Sequence, residues 1–472
     1  MNPGQKHYIK LFGIPTFKIK QEGNVKEIYM FMIPLLSVKV TTKRTYVQLL
    51  LISKLYDCLK AGFKKLCLRR SNKKIFEKFK NGEKLKVCLM VSRPGMWNFD
   101  YLYQILKNDE RFEPLIVVMP DPFQGHAVMC RYVEETLADL RSKGYEPISG
   151  YDFEVNKILN LRKVINPDVI LYADFWKPHF CDEFYVTNFL DKVTLLYEYG
   201  YSAMQDEKTC NWELNNLVDL YFRPTNVHKE MAQDLMENKG ENVVVTGSPK
   251  LDPIFDSEYK PQDVWKSQEK PKKRIIWAPH HSRVMPSDMY CCNAFWEIYN
   301  YMLEVAQIYK DKVQIAFRPH PMLKEKITKA WGEYIADEYF SKWEKLENTQ
   351  VSSGDFIDLF MTSDAMIMDS CSFLAEYTAT NKPLFYTRTK TSRLNLNKFG
   401  EELFENVYDT KDNLKEDIID FIENIVLNDN DYKKEQRTQF VQKYFEKING
   451  KTASENIYAR ILEYLECNSL KI

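Results

Sequence analysis

From Lys86 onward the chain alternates between short, unbroken apolar runs and segments with helical spacing, and this alternation restricts the fold more than any other feature. The runs 86–92, 114–120, 168–174, 193–200, 219–225 and 242–249 are rich in Val, Leu, Ile and Tyr. Strands apolar on both faces belong to parallel sheets covered by helices on each side. Between the runs, Met129, Val133, Leu137 and Leu140, then Ile158, Leu161 and Ile165, recur every three to four residues, as on one helix face. The pattern predicts a doubly wound α/β domain. A polar, proline-containing stretch at 257–272 reads as a linker, after which the alternation resumes with RIIWAP, VQIAFRP, DAMIMD and PLFYTR. The expected organisation is a basic extension over 1–84, a Rossmann-like domain over 85–256, the linker, a second Rossmann-like domain over 273–410 and terminal helices over 411–472. The two Rossmann-like domains are expected to face a cleft.

Composition adds a contrast between the leader and the rest. The 472 residues hold 66 basic and 66 acidic side chains, so whole-chain charge says nothing about nucleic acid, and none is expected as a partner. Residues 1–84 nevertheless carry nineteen Lys or Arg against five acids, a net of +14, which leaves −14 on the remainder. A basic leader on an acidic body suggests an anionic surface or polymer as partner. Within it, FGIPTFKIK (12–20) recurs as FMIPLLSVK (31–39), two short strands interrupted at Ile-Pro. Ile52, Leu55, Leu59, Phe63 and Leu66 then mark a basic amphipathic helix, suited either to its own protein's surface or to anionic lipid. The ten cysteines form no CxxC pair and read as reduced thiols. No run reaches the ~20 apolar residues of a membrane span, and no signal peptide is evident. The expected location is the cytoplasm, peripheral on the inner face of the membrane.

In open α/β sheets ligands bind beyond the carboxyl ends of the strands. Five polar clusters fall there. SRPGMWNFD offers Arg93, Trp97 and Asp100, and YEYG offers Glu198, Tyr199 and Gly200. APHHS offers His280, His281 and Ser282, RPHP offers Arg318 and His320, and MDSCS offers Asp369, Ser370 and Ser372. Asp369 or Ser370 can cap the following helix and leave N–H groups for an anion. Each cluster also has a plain structural reading, since proline ends strands and Asp or Ser caps helices. Neither GxxxxGK[ST] nor GxGxxG occurs, which disfavours P-loop and dinucleotide sites. His280, His281, His320 and Asp369 are potential metal ligands, but HxH and HExxH spacings are missing and no metal or cofactor is expected.

The order WAPHHS, FRPHP, SDAMIMDSCSFLAEYTATNKPLFYTR, preceded by VVVTGSPKLD, resembles the CDP-glycerol glycerophosphotransferase family, teichoic-acid polymerases and primases of glycosyltransferase-B fold. The resemblance spans roughly 190–390 and places Glu376 at the acidic position that closes the helix-start motif. It implies that Arg318 and His320 hold a nucleotide diphosphate with Asp369, Ser370, Ser372 and Glu376, and that His280, His281 or Ser282 adds a donor. The family's W-H-G-[ST] segment corresponds to YEYG, where no histidine stands, so Glu198 is the expected substitute base, with His320 the other catalytic residue. Arg93, Trp97, Asp100, Tyr199 and Gly200 are expected on the acceptor side. The implied reaction moves a polyol phosphate from a CDP-activated donor to a hydroxyl of a cell-surface glycan or lipid-linked acceptor, in teichoic-acid-like or capsular polysaccharide synthesis. Transfer from a nucleotide sugar and a non-catalytic nucleotide-binding role are the alternatives.

Overall fold

The computed structural model describes residues 6–11, 14–22, 25–30, 33–41, 44–48, 72–93, 95–197, 200–205, 207–282, 292–371 and 373–471. It divides into two compact units, 1–74 and 75–472.

In the first unit, β1 (Lys6–Leu11), β2 (Ile14–Glu22), β3 (Val25–Met30), β4 (Ile33–Thr41) and β5 (Arg44–Gln48) form an antiparallel meander. The internal repeat lands on β2 and β4. In each, the register slips opposite the proline: between Ile9 and Lys10 against Pro15, and between Ile28 and Tyr29 against Pro34. Proline cannot donate to the ladder, and a bulge accommodates it. The amphipathic helix expected over 52–66 lies outside the described residues.

The second unit holds two parallel sheets. The first orders its seven strands β12-β11-β10-β9-β6-β7-β8, from β6 (Leu85–Val91), β7 (Phe112–Val118), β8 (Ile148–Ser149), β9 (Val169–Tyr172), β10 (Val193–Tyr197), β11 (Leu220–Arg223) and β12 (Val243–Val245). The second orders its six strands β15-β14-β13-β16-β17-β18, from β13 (Lys273–Ala278), β14 (Val313–Phe317), β15 (Thr349–Val351), β16 (Ala365–Met368), β17 (Leu384–Tyr386) and β18 (Tyr408–Asp409). Each order reverses beside its first strand, at β6/β9 and at β13/β16, where a ligand crevice is expected. Every residue of β10, β14 and β16 is buried, as strands covered on both faces require.

The chain returns to its first sheet at the end. Helix Ala453–Ser469 buries Ile457, Ile461 and Leu465 in the core that also holds Leu85, Leu102 and Phe112. Asp252, at the foot of the first domain, accepts the N–H groups of Ala453 and Ser454 at 2.8 and 3.0 Å. The domains also meet where Asn397 N–H donates to Ala203 O at 3.1 Å and Gln205 N–H to Asn395 O at 2.8 Å. Helix Lys398–Glu405 presents Gly400 there, and a Cβ on Gly400 would lie 2.1 Å from Ala203 O. Both sides of that contact are backbone and cannot swing aside. Gly400→Ala is expected to lower apparent stability in chemical denaturation by about 1–3 kcal/mol; an unchanged midpoint would show that the joint yields.

Among the described residues of this unit seven cysteines are free thiols, and burial pushes Cys88 up to about 12 and Cys181 to about 11. No helix of the described residues is long and apolar enough to cross a membrane.

Candidate functional site

The site is built where three neighbouring strands of the second sheet end at one level. Ala278 of β13 pairs with Met368 of β16, and Trp277 of β13 with Phe317 of β14. The next residues of each strand therefore share one rim. Across it, His320 N–H donates to Pro279 O at 3.0 Å. The buried Asp369 carboxylate accepts His280 N–H at 2.6 Å and Ala294 N–H at 2.8 Å, fixing the loop after β13 and the start of helix Phe295–Ile308 together. Burial raises this carboxyl to about 6.

Three imidazoles converge above that frame. Ring centroids are 4.2 Å apart for His280–His281, 4.9 Å for His280–His320 and 4.3 Å for His281–His320. Ser282 N–H donates to His280 Nδ1 and Met322 N–H to His320 Nδ1, both at 3.2 Å, so each of those rings carries its hydrogen on Nε2 when neutral. His281 Nδ1 is buried without a hydrogen-bond partner. Burial is the main cause that drives all three pKa values down: His281 to about 4, His320 to about 3 and His280 well below the ordinary range. One ring nitrogen from each lies within 4.8 Å of the others, close enough for the neutral rings to ligate a divalent metal ion. Protonated, the same cluster suits a diphosphate. The missing HxH spacing gave no sign of this convergence, which needs the third ring from the neighbouring strand.

The remaining sequence candidates fall into separate groups. Arg318 is buried behind the rim, with Nη1 donating to Ser352 Oγ at 3.1 Å and Nη2 to Gly354 O at 2.5 Å. Its guanidinium lies 5.4 Å from the Phe373 ring centre, and its Nε has no partner. Ser282 Oγ stands 2.8 Å from His280 Nδ1, and Ser370 is buried next to Asp369. Glu376 is buried at the domain interface, where Lys250 Nζ approaches Oε1 at 3.4 Å while Oε2 has no partner. Gly200 abuts the same carboxylate: a Cβ would lie 2.7 Å from Oε1. Glu198, Tyr199 and Ser372 lie outside the described residues.

On the first domain, Arg93 Nε donates to Asp121 at 2.5 Å and the guanidinium lies over Tyr132 at 5.2 Å. The Arg93 charge is near enough to His320 to help lower its pKa, so this rim and the histidine cluster face one another. Trp97 and Asp100 are turned inward instead. Trp97 Nε1 donates to Asp100 at 2.8 Å, and the indole packs in an aromatic cluster with Phe99, Tyr103 and Tyr145.

Two pairs were missed in the sequence. Lys250–Glu376 joins residues 126 apart, and no local pattern pairs them. Asp174 and His179 end the run 168–174 and begin the next turn. Asp174 Oδ2 lies 2.6 Å from His179 Nδ1, and its Oδ1 accepts Trp176 N–H at 2.8 Å. A histidine five residues past a strand-ending aspartate was the available signal.

The family model for CDP-glycerol:poly(glycerophosphate) glycerophosphotransferase matches residues 188–463, more than half of the chain. The chain belongs to this family. It is therefore a transferase of the CDP-glycerol glycerophosphotransferase type, and its matched segment contains the whole histidine rim. Among solved structures, the S. aureus MnaA–UDP co-structure aligns at 17% identity over 81% of this chain and 97% of that one, with a TM-score of 0.52. A UDP-N-acetylglucosamine 2-epimerase aligns at 16% identity over 81% and 95%, with a TM-score of 0.50. These likenesses show the glycosyltransferase-B fold. A variant of the wall teichoic acid polymerase TagF aligns at 12% identity over 89% and 99%, with a TM-score of 0.49. No curated protein sequence matches significantly.

Proposed function

We propose that the cleft transfers glycerol phosphate, or a similar polyol phosphate, from a CDP-linked donor to a hydroxyl of a surface glycan or lipid-linked acceptor in teichoic-acid-like synthesis. The observation that carries this reading is the convergence of His280, His281 and His320 on one strand-end rim of a chain in this family. The acceptor oxygen attacks the phosphorus distal to cytidine, the bond from that phosphorus to the bridging oxygen breaks, and CMP leaves. Phosphoryl transfer of this kind asks the protein for position and charge rather than covalent chemistry. The imidazoles bind the diphosphate, and Arg318 adds a fixed positive charge from behind. The basic leader holds the enzyme at the anionic inner leaflet; deleting 1–71, which spares helix Lys73–Lys80 with Ile75 and Phe76 in the first sheet's core, should release it from the membrane fraction, and unchanged association would contradict that part.

The depressed histidine pKa values give a signed expectation. Without ligand the rings are neutral at pH 7; a diphosphate stabilises their cationic forms and raises their pKa values. Binding of CDP-glycerol should therefore take up protons and tighten as pH falls from 8 to 6. Calorimetry in buffers of different ionisation enthalpy measures the uptake; proton release, or affinity that rises with pH, would contradict the assignment.

The reading itself is tested by incubating the purified protein and acceptor-bearing membranes of the parent cell with CDP-glycerol, CDP-ribitol and UDP-sugars. Release of CMP from a CDP-polyol is expected; turnover confined to UDP-sugars would overturn it.

A further inference from the structure

The reaction needs a group to take the acceptor's proton, and the first domain carries one that no motif marks. At the switch point of the seven-stranded sheet, Ser92 follows β6 and Asp174 lies two residues past β9. The Asp174 carboxylate is fully buried and satisfied from three sides: Trp176 N–H at 2.8 Å, Ser92 Oγ at 3.4 Å and His179 Nδ1 at 2.6 Å. A carboxylate accepts, so in the neutral ring Nδ1 carries the hydrogen and Nε2 keeps its lone pair. That Nε2 has no protein partner among the described residues, and the ring is not fully buried. Lys177–His179 form a single 3-10 turn with Pro178 inside it, which holds the ring in place.

The surroundings are those of a binding face. Trp176, 39% exposed, stacks on the His179 ring at 6.1 Å, and Phe123, 58% exposed, meets that ring edge-on at 5.5 Å. Two large aromatic faces left in solvent beside a free acceptor nitrogen suit the apolar C–H face of a sugar or polyol, with its hydroxyl directed at the imidazole. Arg93, next after Ser92, belongs to the rim that faces the histidine cluster across the cleft.

We infer that His179 is the general base of the transfer, and that Trp176 and Phe123 hold a sugar- or polyol-bearing acceptor against it. The inference rests on the glycerophosphotransferase reading above. As the acceptor oxygen forms its bond to the distal phosphorus, its proton passes to His179 Nε2, and the electron pair of the broken phosphorus–oxygen bond leaves with CMP. The imidazolium is stabilised by Asp174 and returns its proton to solvent.

The test compares the full-length wild type with His179→Ala, Asp174→Asn, Trp176→Ala and Glu198→Gln, using CDP-glycerol and parent-cell membranes. His179→Ala is expected to lose about 10²–10⁴-fold in kcat with donor affinity unchanged by calorimetry. Asp174→Asn should follow it, and Trp176→Ala should mainly raise the KM for acceptor. If His179→Ala fails to bind donor, His179→Gln decides by the same criterion. An active wild type with the His179 variant within threefold, or a smaller loss than Glu198→Gln causes, overturns this inference alone. A wild type that releases no CMP overturns the glycerophosphotransferase reading and this inference with it.

Discussion

His320→Ala is expected to cut CMP release from CDP-glycerol by at least ~10²-fold and to weaken donor binding. His320 Nδ1 is occupied by Met322 N–H, so its single outward function is through Nε2, beside the other two rings. Its burial holds it neutral until an anion arrives, and removing it takes away a charge that exists only in the liganded state. Stability should change little or rise at mildly acidic pH. With a folded-state value near 3 against an ordinary 6.5, the ring stays unprotonated in the fold where the unfolded chain binds a proton. The native protein therefore loses stability as pH falls from about 6.5 toward 3, and the alanine variant should lose less. Turnover within fivefold of wild type would remove His320 from the site.

Lys250→Met should be among the most destabilising single changes in the second unit, at about 3–5 kcal/mol. It leaves the Glu376 carboxylate buried at the domain interface without its cation, with Gly200 pressed against the same oxygen. Burial already raises the Glu376 pKa, and the Lys250 charge opposes that rise. Without Lys250 the carboxyl binds a proton in the fold at pH values where the unfolded chain has released it. The penalty should therefore grow as pH rises from 5 to 8. Adding Glu376→Leu to Lys250→Met should recover much of the loss, because two apolar groups need no partner. Chemical denaturation checks all three variants; a Lys250→Met cost under ~1 kcal/mol would mean that water reaches the pair.

The long central strands were legible because burial on both faces leaves an unbroken apolar run, as in VQIAF and AMIM. The edge strands Ile148–Ser149, Thr349–Val351 and Tyr408–Asp409 were not, since two or three residues carry no periodicity. The run 242–249 shrank to Val243–Val245 because Gly247 takes a positive φ of 81° and a 3-10 stretch begins at Pro249. For the site, strand ends pointed to His280, His320 and Asp369 individually, and the strand order brings them to one rim. Trp97 and Asp100 also follow a strand, yet their polar atoms satisfy one another inside the domain. Burial and partner choice of that kind arise in tertiary packing. Asp174–His179 went unread for the converse reason: a pair five residues apart around a proline resembles an ordinary turn until the carboxylate is found buried.

The central claim is that the phosphate moves with the glycerol. CDP-glycerol labelled with ³²P at the phosphate next to glycerol distinguishes this from transfer of the organic group alone. Label is expected to enter the acceptor while unlabelled CMP is released, both cut by at least ~10²-fold in His320→Ala. Release of labelled CDP, with no label in the acceptor, would contradict it.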